Sequence, residues 1–416
     1  MGRGIRPALV AIIACAVQSG NAIATSQRTF VSPTGVDTAS CTLAQPCRTF
    51  SAAIAQTSSG GEVIVLESAG YGSVTITQSV SIIAPPGVYA GISLVTALTN
   101  GVAINGAGID VVLRGLTIIA LGGVNGTVGV NVVNARSVLV DRCNISGMTT
   151  YGVYSQSATL LTISNSEVRA STTGVAANAG IVDIASSRIL DNSQNGVSTH
   201  SGTRLRVDHT EIANSGFFGI SVVSSTSGVI TAATISQSRL MSNAADGISI
   251  SAQNAGFVEA ALSDTVVSYN GNHGLNLFAD AASTARVAGS RLTINGNAFR
   301  GVSAGSAGGA AQTVLTLSGS TVSVNGGDGV VAYTTDPAAV TSATLAGNRI
   351  SANSGSGVIS QNVGATISAQ DNTITRNVSV GLFLFGGAIN SDGTNVASEN
   401  NSGDLSGGAL GPLPKY

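Results

Sequence analysis

Charge is scarce in this chain. Asp, Glu, Lys and Arg make up 9% of its 416 residues, against about a quarter in an ordinary globular protein. With no clustered basic stretch, it lacks the counter-charge that nucleic acid requires, so nucleic acid is excluded as a partner. Aromatic residues are only 4% and tryptophan is absent, so any stacking platform for a sugar must use Tyr or Phe. Four cysteines leave no second pair for a thiolate metal site. No apolar run is long enough to span a bilayer: the longest near the start, Ala8 to Val17, falls well short. The 53 glycines show no third-residue period, which excludes collagen, and the chain is too apolar to be disordered. What remains is a fold of short strands and tight turns built from small side chains.

The N-terminus, "MGRGIRPALVAIIACAVQSGNAIA", combines Arg3 and Arg6, a short apolar run, and Ala22 and Ala24 in an A-x-A arrangement. This predicts a secretory signal over residues 1–24, with the A-x-A arrangement favouring ordinary cleavage over a lipoprotein reading at Cys15. Its removal leaves 16 basic against 20 acidic residues, a formal charge of −4 from the whole-chain −2. In an oxidising compartment Cys41 and Cys47, six residues apart in "SCTLAQPCRTF", are expected to form a local disulfide. Cys143 is then unpaired.

A glycine followed by an aliphatic or β-branched residue recurs at Gly129, Gly152, Gly174, Gly196, Gly219, Gly247, Gly274, Gly301, Gly329, Gly357 and Gly381, in steps of 22 to 28 residues. Units that short hold two or three strands and no amphipathic helix. Aligned on Ile189, Ile212, Leu240, Val267, Leu292, Val322, Ile350 and Ile374, they carry a Ser, Thr or Asn two residues earlier. With period-two strands both rows point inward. Three residues after the aliphatic position stand Asn192, Asn243, Asn270, Asn295, Asn325, Asn353 and Asn377, with Asn214 displaced by one in its unit. The spacing predicts an asparagine ladder in which each buried amide bonds its copy one coil away. Between the inward rows an outward row contains Glu167, Arg188, Glu211 and Arg239, read as an ion ladder.

These rows predict an all-β fold, a single-stranded parallel β-helix of roughly eleven to thirteen coils over 63–396. Residues 25–62 form an N-terminal strand and helix cap, with Thr49 capping a helix through "FSAAIAQT", and 397–416 are a C-terminal tail or cap. The repeats "ISQSRLMSNAADGISI" and "LAGNRISANSGSGVIS" resemble right-handed parallel β-helix proteins of the pectin-lyase-like superfamily. The segment from Thr29 to Ile76 resembles the entrance of exported bacterial members. The resemblance implies a right-handed solenoid and says little of chemistry, because the fold carries lyases, hydrolases, epimerases and adhesins. "GHG" and "DPHD", which mark two of its enzyme groups, are absent; "NHG" at Asn272 to Gly274 reads as an ordinary turn.

The densest polar neighbourhood supplies the candidate catalytic residues Asp183, His200, Arg204, Arg206, Asp208 and His209, with Asp191 and Glu211 nearby. A base to abstract a carbon-bound proton and an arginine to neutralise the adjoining carboxylate would suit uronide elimination. Asp208 and His209 are adjacent, so a regular strand would turn them to opposite faces. Phe383 and Phe385 are expected to fill the terminal core, and Tyr71, Tyr151 and Tyr154 are the tyrosines available to a sugar. The expected function is a secreted or cell-surface bacterial module, noncatalytic, that presents a repetitive surface to a matrix polysaccharide or protein. The alternative is a polysaccharide lyase acting on acidic polysaccharide. No cofactor is expected; Ca²⁺ enters only with the lyase.

Overall fold

The computed structural model describes residues 25–95, 98–121 and 126–413; the predicted signal over 1–24 lies outside them. Each coil has three strands on three faces, and every strand pairs in parallel with its counterpart one coil away. The first sheet has the longest strands, such as Ile230–Ser236; the second has three-residue strands, such as Arg239–Met241; the third has strands such as Ile248–Ala252. Fourteen strands stack in the second sheet, one more than the upper end of the expected coil count. The first and third form one 29-stranded array because Gly126–Asp141 runs without interruption from one face to the other.

The aliphatic row fills the interior: Ile189, Ile212, Leu240, Val267, Ile294, Val322, Ile350 and Ile374 are all fully buried. Removing each such side chain from water is worth about 1.5–3 kcal/mol. Ile294 replaces the Leu292 expected there, because the bend in its coil falls at Arg291 and moves the register by two.

Between the first and second sheets the chain turns in two residues. The first is left-handed, as at Asn165, Ser186, His209, Gln237, Asp264 and Arg291, with φ from 46° to 52°. Except after Arg291, where Leu292 takes the place and the expected Ser290 ends the preceding strand, the second, pointing inward, carries the small polar row. Its backbone N–H has lost its ladder partner at the bend, and a hydroxyl one coil on accepts it: Ser166 N–H donates to Ser187 Oγ at 3.2 Å and Thr210 N–H to Ser238 Oγ at 3.2 Å. Small polar side chains recur inside the solenoid because the bend orphans a donor in each coil.

The asparagine ladder lies at the corner between the second and third sheets. In the run Asn243, Asn270, Asn297, Asn325, Asn353, Asn377 and Asn400, each Oδ1 accepts both the backbone N–H and the Nδ2–H of the preceding member, at 3.0–3.1 and 2.9 Å. Asp404 Oδ1 closes the run at 2.8 Å. Two expected members are corrected. Asn295 ends its strand and Asn297 takes the rung, for the same two-residue register reason. Asn214 is left-handed and exposed, bonded to Asp191, while Ser215 occupies the rung.

Ser215 interrupts the ladder, leaving its own Oγ and Asn192 Nδ2 buried without partners. Ser215→Asn supplies the missing amide at a site where the neighbouring coils already hold one, and is expected to raise stability by about 1 kcal/mol. Thermal melting of the variant checks this; an unchanged or lowered midpoint would defeat it.

The N-terminal end is closed. Helix Phe50–Gln56 is capped by Thr49, whose Oγ1 accepts Ala52 N–H at 3.2 Å, and Phe50, Ala53 and Ile54 cover the open core. The Cys41–Cys47 disulfide is formed and both cysteines are fully buried beside this helix. At the other end the winding continues through Val396–Ser398, Leu405–Ser406 and Gly411–Pro412, which pair in turn with the second, third and first sheets.

Candidate functional site

Two polar regions stand on the outer faces. On the first sheet, Asp183 and Arg206 are register partners with their charges 3.9 Å apart, and Arg204 stands exposed on the same strand as Arg206. Asp208 ends that strand and His209 is the left-handed residue after it. That conformation defeats the expected divergence: His209 Nδ1 lies 2.6 Å from Asp208 Oδ2, and Ser236 donates to Asp208 Oδ1 at 2.6 Å. The Ser236 hydroxyl and then the imidazole hold the Asp208 carboxyl below its usual range. His200 does not join them. It precedes strand Thr203–Asp208 at its far end, and that strand spans about 17 Å.

Downstream on the same face is an open groove of about 460 Å³, floored by Ala232, Ala261 and Ala288 and edged by Glu259, Arg286, Val314 and Thr316. The Arg286 guanidinium lies 5.3 Å from the Phe257 ring centre. On the second sheet Arg188 bridges Glu167 at 3.0 Å and Glu211 at 3.3 Å, so the expected ion ladder forms over three rungs. Arg239 stacks in register but turns to the Met241 sulfur. Asp191 is occupied with Asn214.

The second region was not found from sequence. The residue before each row glycine forms a column of its own: Asp246, His273, Arg300 and Asp328 precede Gly247, Gly274, Gly301 and Gly329. Asp246 is 2% exposed and accepts from Asn272 Nδ2, the His273 backbone N–H and Asn276 Nδ2 at 2.8–3.1 Å. Asp328 accepts Ser356 N–H at 2.9 Å and faces Arg300 Nε at 3.5 Å. Between the two carboxylates, His273 stacks on Phe299 with ring centres 5.2 Å apart, and the Arg300 guanidinium lies 5.1 Å from Phe299 and 5.8 Å from Tyr333. Burial lowers the basicity of His273; Asp246 opposes that and Arg300 adds to it. Gly305 makes room for Tyr333, since a Cβ there would lie 2.1 Å from the ring. His273 Nδ1, Arg300 Nε and Ser303 Oγ are buried without hydrogen-bond partners. "NHG" is thus a turn with an ionisable stack built on it.

The remaining aromatic residues depart from expectation. Phe383 and Phe385 lie on the outside, 5.5 Å apart, because inward Leu382 pairs with Val358 and puts both phenylalanines on the opposite face. Phe385 is 55% exposed. Tyr71 is fully buried against Phe50 and donates to Glu67 O. Tyr151 and Tyr154 stack 4.5 Å apart, with Asn178 bonded to the Tyr154 hydroxyl. Burial pushes the Cys143 thiol up to about 12, so it is inert packing in the hydroxyl row. Among the described residues no group of His, Cys, Asp and Glu could hold a metal ion, and no helix is long and apolar enough to cross a membrane.

Solved structures of similar winding include pectate lyase Pel9A, at 13% identity and TM-score 0.39, covering 81% of this chain and 79% of that one. The Azotobacter vinelandii mannuronan C-5 epimerase AlgE4 A-module is 15% identical at TM-score 0.43, covering 86% and 91%. The Dettilon tailspike protein is 14% identical at TM-score 0.39, covering 85% and 63%. Likeness at this level carries nothing about activity. No curated protein matches the sequence. The model of the right handed beta helix region matches residues 128–289 and 231–402, the greater part of the coils described above. The chain belongs to the right-handed β-helix family.

Proposed function

We propose that this is an exported, bacterial, noncatalytic β-helix protein that binds acidic glycans along the outer face of its first sheet. The observation that carries the reading is the placement of Arg204, Arg206 and Arg286 on that face around an alanine floor. Arg204 and Arg286 share one register row three coils apart, a span of about 14 Å along the axis. Arg204, Arg206 and Arg286 stand among Asp183, Asp208 and Glu259 on this face, so the match to an anion lies in where the exposed guanidinium groups stand and not in net charge. A polymer with repeated carboxylates complements such a face, and small floor residues let it approach the backbone. The buried disulfide suits an oxidising compartment.

Arg204→Ser with Arg206→Ser is expected to weaken binding of polygalacturonate or alginate at least tenfold, measured by titration calorimetry, since each removes an exposed charge-assisted contact. Binding unchanged in the double variant would end the proposal.

A second reading, a polysaccharide lyase, is favoured by the Asp208–His209 pair at the end of the Arg206 strand. A carboxylate-held imidazole can act as base while arginine neutralises the substrate carboxylate. Unsaturated products released from either polymer, and lost in His209→Ala, would establish it over the noncatalytic reading.

A further inference from the structure

We infer that the stack on the third sheet, around Phe299, Arg300 and Tyr333, is a separate binding site for an uncharged sugar unit. The inference does not rest on the first-sheet reading.

A purely architectural stack should satisfy its own polar atoms, and part of this one does. Asp246 and Asp328 each accept the backbone N–H of the residue that follows them in the column, from His273 and Ser356. Asn195 does the same for Phe218 earlier in the column. That repeat explains the carboxylates and the asparagine as corner supports. It does not explain His273 Nδ1 and Ser303 Oγ, which are buried without a hydrogen bond, nor Arg300 Nε, which makes none and meets Asp328 only as an ion pair at 3.5 Å. Burying such groups without partners is costly, and natural folds concentrate that cost at sites that meet a ligand.

The chemistry of the partner follows from what the stack offers. Its permanent charges are two carboxylates, Asp246 and Asp328, and one guanidinium, while burial disfavours the charged form of His273. A net negative site opposes an anion, in contrast to the arginine-bearing first sheet. The atoms without a hydrogen bond are an imidazole nitrogen, a hydroxyl and the ion-paired guanidinium N–H, which match the donors and acceptors of sugar hydroxyls. Phe299, 45% exposed, gives an apolar ring at the surface, and the Arg300 guanidinium lies against both it and Tyr333. An apolar platform with a few converging polar groups is the usual make-up of a small-ligand site.

The test is calorimetric titration of the full mature chain with cellohexaose, xylohexaose, mannohexaose and chitohexaose, with polygalacturonate as the acidic probe. At least one neutral hexasaccharide is expected to bind, at least tenfold more weakly to Phe299→Ala and to Arg300→Gln. Phe299 is partly exposed, so its variant should keep the wild-type melting temperature, which is measured alongside. Arg204→Ser/Arg206→Ser is expected to leave neutral binding unchanged and reduce acidic binding only. No binding of any neutral probe, or binding untouched by Phe299→Ala and Arg300→Gln, overturns the inference while leaving the first-sheet reading standing.

Discussion

Replacing Asn325 with alanine is expected to destabilise the solenoid by about 3 kcal/mol. Asn325 is fully buried in the middle of the ladder. Its Oδ1 accepts from Asn297 N–H at 3.1 Å and Asn297 Nδ2 at 2.9 Å, and its Nδ2 donates to Ile294 O at 3.3 Å and Asn353 Oδ1 at 2.9 Å. Truncation removes four bonds and strands polar groups in the coils on both sides, each worth about 1–3 kcal/mol when left unmade, with partial relaxation reducing the sum. The control is Asn214→Ala, whose exposed amide bonds only Asp191 and should cost about 0.5 kcal/mol or less. Because stacked repeats can open locally, denaturant unfolding should be paired with amide exchange in the coils flanking residue 325. Equal losses for the two variants would show that the ladder is not what holds this corner.

Gly301→Val is expected to be more damaging, at about 4 kcal/mol or beyond, by overpacking rather than by loss of a bond. A Cβ at 301 would lie 2.4 Å from Val322 Cγ1 and 2.8 Å from both Asn325 Nδ2 and Gly329 O. None of these atoms can retreat: the carbonyl belongs to the parallel ladder, where Val302 N–H donates to it at 2.8 Å, and the amide belongs to the asparagine run. The same collision recurs along the glycine row, as at Gly274 with Gly301 O and at Gly329 with Gly357 O, both within 2.8 Å. Gly70→Ala is the contrast, since its Cβ would meet only Gly91 O at 3.8 Å. Thermal unfolding of both variants tests the point, and a Gly301→Val protein as stable as Gly70→Ala would refute it.

The glycine row was legible in the sequence for this steric reason: nothing larger fits, so the letter recurs from Gly129 to Gly381. The asparagines were legible where the coil offered one aliphatic position, as at Ile350 and Asn353. Asn214 was misread because Ser215 takes the rung beside it, and Asn295 because its coil offered two candidate pairs. The run from Ser290 to Asn297 contains Leu292 and Ile294, and Asn295 and Asn297 behind them; only the left-handed bend at Arg291 decides between the pairs. The Asp208–His209 contact was hidden by the same conformation, which strand periodicity does not encode. The third-sheet stack failed for another reason. Its members are 27 or 28 residues apart and look unrelated until each is placed one residue before a row glycine. Asn195 stands in that column too. The N-terminal disulfide and capped helix were legible because both are local.

The two-residue bend between the first and second sheets keeps its length from Arg142–Cys143 to Asp371–Asn372. The corner holding the asparagines is six residues in every coil from Asp191 onward. From Asp191 onward the connections that change length lie where the third sheet gives way to the first, with Ser225 to Val229 in one coil and Ala281 to Ser283 in another. Over the described coils from Asp191 onward, one ridge is therefore the seam for new sequence. Foreign loops grafted there would project in a single file, spaced about 4.8 Å per coil, while the other two edges would reject them.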